Sequence, residues 1–412
     1  MRRLFFVVAC LLVATAVSQA APLPLHRGVG VHDWLNWSPV NSAGTYRWPP
    51  YRSKTDWLAG SRPLSDWPSQ DAFRRIRSMG FDFVRLSVDP GPLLDSDDDR
   101  RRVALDVLSR AVQEVTDAKL KVVFNLHSVS QVPAYDITIL YHGFDSTGVA
   151  SYRDMVKSVT RMLVDIGTDM VALEPFNEPA FYPCDASGSE DWQQIMAATV
   201  ADIRTISTEL TIVATGACGG SITGLTDIDP TFDDPNIYYS LHMYEPHSFT
   251  HQRADEANGF SSSLPWPADT GRADAVIERL KIYMDAASVS QAEQASALGA
   301  LRPAIDAYFA ENWGLPQMRA RLDEAVGWAK GYGIPNERLF MGEFGAILRG
   351  ADGRYGAANA DRLRYLKALR QEAEKRDIPW SIWEYSNPHG MTVILPEGTA
   401  SPDFELLEAL GL

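Results

Sequence analysis

The chain has 412 residues, with 38 Lys and Arg against 53 Asp and Glu, and a formal net charge of −15. That acidic balance excludes nucleic acid as the principal partner, because phosphate recognition needs a concentrated cationic face, and it leaves a neutral or cationic ligand. Its 3 cysteines are too few for a disulfide-built scaffold.

Met1-Arg2-Arg3 precedes an apolar stretch from Leu4 to Val17 and a small-x-small pattern at Ser18-Gln19-Ala20. This predicts a signal peptide over residues 1–20 and a secreted or periplasmic protein. The run is short for a membrane span of about 20 residues, and nothing comparable follows, so stable membrane insertion is not expected.

From Arg27 onward, β-rich runs alternate with helical patterns. The runs are Gly28 to Asp33, Phe83 to Val88, Lys121 to His127, Met170 to Glu178, Thr211 to Gly216, Ile237 to Tyr244, Leu339 to Phe344 and Trp380 to Tyr385. Most are near-continuous in Val, Ile, Leu and Phe, as strands covered on both faces are in a parallel sheet. Between the second and third runs, Arg101 to Ala118 carries Val103, Val107, Leu108, Ala111, Val112 and Val115 on one helical stripe. The acidic run Asp95 to Asp99 ahead of it reads as a helix start, where negative charge is favourable. Eightfold strand-helix alternation predicts an α/β fold of the (β/α)8 TIM-barrel type, one domain over residues 21–412. Two connections break the rhythm. Residues 217–235 predict a fifth helix that is either very short or replaced by loop. Residues 245–337 are too long for one βα unit and predict a helical insertion between strands 6 and 7, or a lid over the barrel mouth.

In such a barrel, chemistry collects at the carboxyl ends of the strands. Those ends carry Arg85, His127, Asn177-Glu178-Pro179, His242, Tyr244, Glu343 and Trp383. Glu178 and Glu343 come from strands on opposite sides of a closed barrel, and two carboxylates facing one cavity suit glycosidic bond cleavage. One donates a proton to the leaving oxygen; the other meets positive charge at the anomeric carbon. Pro179 keeps Glu178 extended, and Asn177 is placed to bond a sugar 2-hydroxyl. Gly28-Val29-Gly30 lacks the third glycine of a dinucleotide fingerprint. His242, His247 and His251 lack the spacing of a known metal site. No cofactor and no metal are expected.

In these residues the chain resembles glycoside hydrolase family 5, the cellulase-type family of retaining enzymes. The family has Arg on strand two, His on strand three, Asn-Glu-Pro on strand four, His-x-Tyr on strand six, Glu on strand seven and Trp on strand eight. Their counterparts here, in order, are Arg85, His127, Asn177 with Glu178, His242 with Tyr244, Glu343 and Trp383. The resemblance implies that Glu178 is the acid/base and Glu343 the nucleophile. By the same resemblance Tyr244 bonds Glu343, Arg85 holds it ionised, His127 and His242 line the cleavage subsite, and Trp383 stacks under the sugar. The expected substrate is a β-linked polysaccharide or oligosaccharide, with β-1,4-glucan first. A mannanase, an exo-β-glucanase and a glycan-binding barrel without catalysis remain the alternatives. A monomer is the simplest expectation.

Trp34, Trp37, Trp48, Tyr141, Phe181, Tyr182 and Trp266 follow strand ends and are candidates for outer sugar platforms. Glu174 and Glu384 also lie in strands, and one of them is expected to support the catalytic pair from behind. Cys184 and Cys218 follow neighbouring strands, which fits a rim disulfide and equally fits two buried free thiols.

Overall fold

The computed structural model describes residues 21–61, 71–181, 184, 191–230, 234–252, 262–348, 356–386, 390–395 and 401–412. The expected signal peptide over 1–20 lies outside these residues, as does Tyr182. Among the described residues, no helix is long and apolar enough to cross a membrane.

Eight parallel strands close into a barrel in chain order. They are β1 (Arg27–Leu35), β2 (Phe83–Val88), β3 (Lys121–Leu126), β4 (Val171–Glu174), β5 (Thr211–Thr215), β6 (Ile237–Met243), β7 (Leu339–Phe344) and β8 (Trp380–Ile382). Three runs end one residue earlier than the sequence suggests, at Leu126, Thr215 and Met243, and two end three or four residues earlier. Pro175 has no N–H to continue the ladder, so β4 stops at Glu174, and β8 stops at Ile382.

Side chains alternate along a strand, and the alternation sorts the barrel interior into layers. Phe83, Val123, Ala172, Val213, Tyr238 and Phe340 form one small apolar cluster, with Leu23 and Leu25 packed into it. Two residues further along these strands come Arg85, Asn125, Glu174, Thr215, Ser240 and Gly342, so the next layer toward the carboxyl end is polar. The apolar layer carries the packing, and the polar layer starts the site.

One irregularity decides where Glu343 points. β6 and β7 slip in register between Leu241 and His242, so that Leu241 faces Met341 while His242 faces Glu343. Gly342 takes up the slip: a Cβ there would lie 2.8 Å from Ser240 Oγ and 3.2 Å from His242 Nε2. A side chain would have to displace the Ser240 hydroxyl and the His242 ring.

Around the barrel run α1 (Ala72–Ser78), α2 (Asp98–Asp117), α3 (Thr147–Ile166), α4 (Trp192–Arg204), α5 (Ile222–Thr226), α6 (Leu315–Gly331), α7 (Asn359–Glu374) and α8 (Phe404–Leu410). Asp97 caps α2 by accepting from the Arg100 N–H, with Asp98 and Asp99 in the first turn. The buried stripe of α2 is Ala104, Leu108, Ala111, Val112 and Val115. Val103 is 45% exposed, so the stripe runs through Ala104 instead. The fifth helix is the very short alternative, five residues long.

The stretch 245–337 has two parts. Its last helix, α6, packs against α5 and α7 and belongs to the ring. Before it, helices Ala273–Ala286 and Gln291–Glu311 pack on each other. The base of this hairpin is closed by the Ala268 N–H donating to Trp313 O at 2.8 Å.

Candidate active site

Arg85 stands at the centre of the polar layer, fully buried. Its Nε donates to Glu174 Oε2 at 2.6 Å and Nη2 to Glu174 Oε1 at 3.1 Å. Nη1 donates to Glu343 Oε1 at 2.6 Å, and Nη2 also reaches Asn177 Oδ1 at 2.8 Å. Burial alone disfavours the cation, and the charges of Glu174 and Glu343 more than offset it. The planar fork thus fixes three acceptors from β4, the loop after β4, and β7. Of Glu174 and Glu384, Glu174 is the one that shares Arg85 with Glu343. Glu384 holds β1 instead, accepting from the His32 backbone N–H at 2.9 Å.

Glu343 accepts at its other oxygen, Oε2, from the Tyr244 hydroxyl at 2.9 Å. Burial, then the charges of Glu343 and Glu178, push the Tyr244 phenol well above its usual range, so it stays a donor. His242 Nδ1 lies 2.6 Å from Glu178 Oε1 and 3.6 Å from Glu343 Oε2. Burial opposes a charged His242, but Glu343 and the Glu178 hydrogen bond outweigh it and raise its proton affinity. One oxygen each of Glu178 and Glu343 and one His242 nitrogen all lie within 4.8 Å of one another. Glu178 is 39% exposed and Glu343 5%. Glu178 therefore flanks the opening, and Glu343 forms the floor.

Three rings line the adjoining wall. His32, His127 and Trp383 pack together, with centroids 4.8 Å apart from His32 to each of the others and 5.7 Å from His127 to Trp383. Burial, followed by the charges of His32, Arg85 and His242, drives the His127 imidazole well below its usual range. A neutral ring satisfies both neighbours: Nε2 accepts from Asn177 Nδ2 at 3.3 Å, and Nδ1 donates to Asn125 Oδ1 at 3.2 Å. His32 was missed in the sequence, although it sits one residue from the end of the first β-rich run, where the strand-end rule applies. Burial lowers it to about 4 against the pull of Glu343. Its Nε2 accepts from Trp37 Nε1 at 3.2 Å, which holds the exposed Trp37 indole edge-on to it.

The outer aromatics divide. Trp34, Phe181 and Trp266 are 1–2% exposed and belong to the core, so they are not sugar platforms. Trp37 is 38% exposed. Trp48 lies under Arg100, and Tyr141 accepts from the Ala180 N–H and meets the edge of Phe181. Cys184 and Cys218 form a disulfide with Cα atoms 5.1 Å apart. Beside it, the Gly219 N–H donates to Pro179 O at 3.0 Å, so the loop that presents Glu178 is tied to the loop after β5.

A closed parallel barrel with two glutamates opposed at its carboxyl mouth is the architecture of a barrel glycosidase. The chain belongs to the cellulase family, glycosyl hydrolase family 5, whose model matches residues 41–389. Over 197 residues it is 28% identical to Endoglucanase 3 of Fibrobacter succinogenes, covering 47% of this chain and 26% of that protein. Endoglucanase C of Acetivibrio thermocellus is 24% identical over 201 residues, 47% of this chain and 55% of that one. The chain thus matches about half or less of these relatives' length. A hyperthermophilic endo-β-1,4-glucanase solved with substrate has a TM-score of 0.63 at 20% identity, covering 95% of this chain and 97% of that one. A Bacteroides ovatus xyloglucanase has a TM-score of 0.63 at 14% identity, covering 94% and 74%. At these identities the two structures speak to the fold.

Proposed function

We propose that the protein is an exported, retaining β-glycosidase acting within β-linked polysaccharide, with β-1,4-glucan as first substrate. Glu178 is the acid/base and Glu343 the nucleophile. The observation that carries this reading is the approach of their carboxylate oxygens to within 4.8 Å. Retaining enzymes hold the two carboxyl groups roughly 5–5.5 Å apart, whereas inverting ones leave about 6.5–9.5 Å for a water. The endoglucanase names of the relatives and the endo-β-1,4-glucanase name of a structural match support the substrate choice.

The residues divide the work. Glu343, fixed through both oxygens by Arg85 and Tyr244, attacks the anomeric carbon while Glu178 gives its proton to the glycosidic oxygen. The exposed position of Glu178 lets water replace the departed sugar, and Glu178 then takes a proton from that water as the glycosyl-Glu343 ester breaks. Asn177, held by Arg85, bonds the 2-hydroxyl, and Trp383 offers its face to the sugar ring. The catalytic unit spans residues 21–412, with 1–20 as its export signal.

The test is a panel of β-glucans, β-mannans and aryl β-glycosides, comparing wild type with Glu343→Ala and following product anomers by NMR. Hydrolysis by wild type alone, with the β-anomer formed first, is expected. The α-anomer first would reject retention, and undiminished turnover in the variant would reject Glu343 as nucleophile.

A further inference from the structure

We infer that His247 binds the leaving-group sugar, making it a specificity residue on the acid/base side of the cleft. The inference rests on the proposed roles of Glu178 and Glu343.

Strand order separates the two sides of the mouth. His32 lies on β1 and His127 and Trp383 follow β3 and β8, within the arc from β8 round to β3, and the three pack as one cluster. Glu178 and His247 follow β4 and β6, on the opposite arc. An acid must stand beside the oxygen it protonates, so the departing sugar lies on the Glu178 side, away from Trp383. His247 is exposed there, and the charge of Glu178 is felt at its ring.

The ring is also held in place. It stacks on His251 with centroids 3.8 Å apart and planes 9° from parallel, and His251 meets Tyr244 edge-on at 5.1 Å. Thr250 Oγ1 lies 3.0 Å from His251 Nδ1 and donates to Tyr244 O at 2.7 Å, tying this short turn to the residue that bonds Glu343. Among the described residues, neither His247 ring nitrogen makes a hydrogen bond. Burial lowers its proton affinity against the pull of Glu178 and Glu245. A neutral imidazole offers one donor and one acceptor, which matches a sugar hydroxyl. Parallel stacking also argues against a metal on this pair, because their in-plane lone pairs run side by side instead of converging.

The experiment compares cellotetraose, whose leaving group is a sugar, with 4-nitrophenyl β-cellobioside, whose leaving group carries no hydroxyls. It reads kcat/KM, which reports the step in which the leaving group departs. His247→Ala should lower the cellotetraose value about tenfold, the scale of one hydrogen bond, and change the aryl value less than about twofold. His247→Gln, which keeps a donor and an acceptor, should restore most of the loss. Equal losses on both substrates, or no loss on either, would overturn the role of His247 while leaving Glu178 and Glu343 in place. If wild type cleaves neither, or Glu343→Ala cleaves both, the underlying reading fails and this one with it.

Discussion

Arg85 shows why one residue type cannot be exchanged for another of the same charge. Its guanidinium serves Glu174, Asn177 and Glu343 at once, from a fully buried position. A lysine ammonium is a single point charge and cannot reach all three in one rotamer. Arg85→Lys is expected to keep the barrel, as judged by circular dichroism, and to lower kcat at least about 100-fold on an aryl glycoside, because a small misplacement of Glu343 costs that much. Arg85→Met strands Glu174 and Glu343 as buried anions and should cost roughly 3–5 kcal/mol in denaturant unfolding. His32 makes a prediction in pH. Its affinity falls from 6.5 in the unfolded chain to about 4 in the folded one, so the unfolded state binds the extra proton between those values. Its contribution to stability is therefore complete above about 6.5 and is lost as pH falls toward 4. His242 is shifted upward and works in the opposite sense, its contribution lost as pH rises. The clean readout is therefore the difference between wild type and His32→Gln in urea unfolding at stepped pH. That difference should shrink from pH 7 to 4; a constant gap would contradict the neutral, buried His32. Most of these residues were legible because the site is read at strand ends. His32 belonged to no motif, and its neutral state follows from burial against His127 and Trp383, a packing that spacing alone does not reveal.

At the level of elements, the strands were legible because both faces of each are covered, which leaves near-continuous apolar runs such as Phe83 to Val88. The slip at Gly342 was not. A glycine in a strand marks a bulge only when its neighbour's side chain is known, and here that neighbour is His242 on β6. The loops after β4 and β5 are joined by the Cys184–Cys218 bridge across 34 residues. In the chain-entropy account, opening a loop of that size costs at most about 4 kcal/mol. The double variant Cys184→Ser, Cys218→Ser should therefore unfold at lower temperature. Its kcat on an aryl glycoside should stay within about threefold, because Glu178 is still held by His242 and its loop by the Gly219 to Pro179 hydrogen bond. A kcat loss as large as that of an Arg85 variant would mean that the bridge, and not those hydrogen bonds, positions the acid.

The whole molecule is a barrel with one addition, and their boundary was the least legible feature of the sequence. Helix α6 and the hairpin before it have similar helical patterns; what separates them is their partners, since α6 lies between α5 and α7 whereas the hairpin helices pack on each other and on the turn His247–Thr250. The hairpin buries Val276, Ile277, Leu280, Ile305 and Tyr308 in the same apolar core as the barrel. The Tyr308 hydroxyl bonds Pro265 O, and Ala268 N–H bonds Trp313 O. Neither Arg85, Glu178, His242, Tyr244 nor Glu343 takes a hydrogen-bond partner from it. Because Ala268 and Trp313 are already in contact, residues 272–311 can be replaced by a short glycine linker without stretching the ring. The shortened protein should keep the barrel but unfold at a lower Tm, because the apolar surface covered by Val276, Ile277, Leu280, Ile305 and Tyr308 is then exposed. Its kcat/KM on an aryl β-cellobioside should stay within about twofold of wild type. On long β-glucan the outcome separates two roles: an unchanged rate makes the hairpin an appendage of the ring, whereas a selective loss makes it part of the wall that receives the polymer.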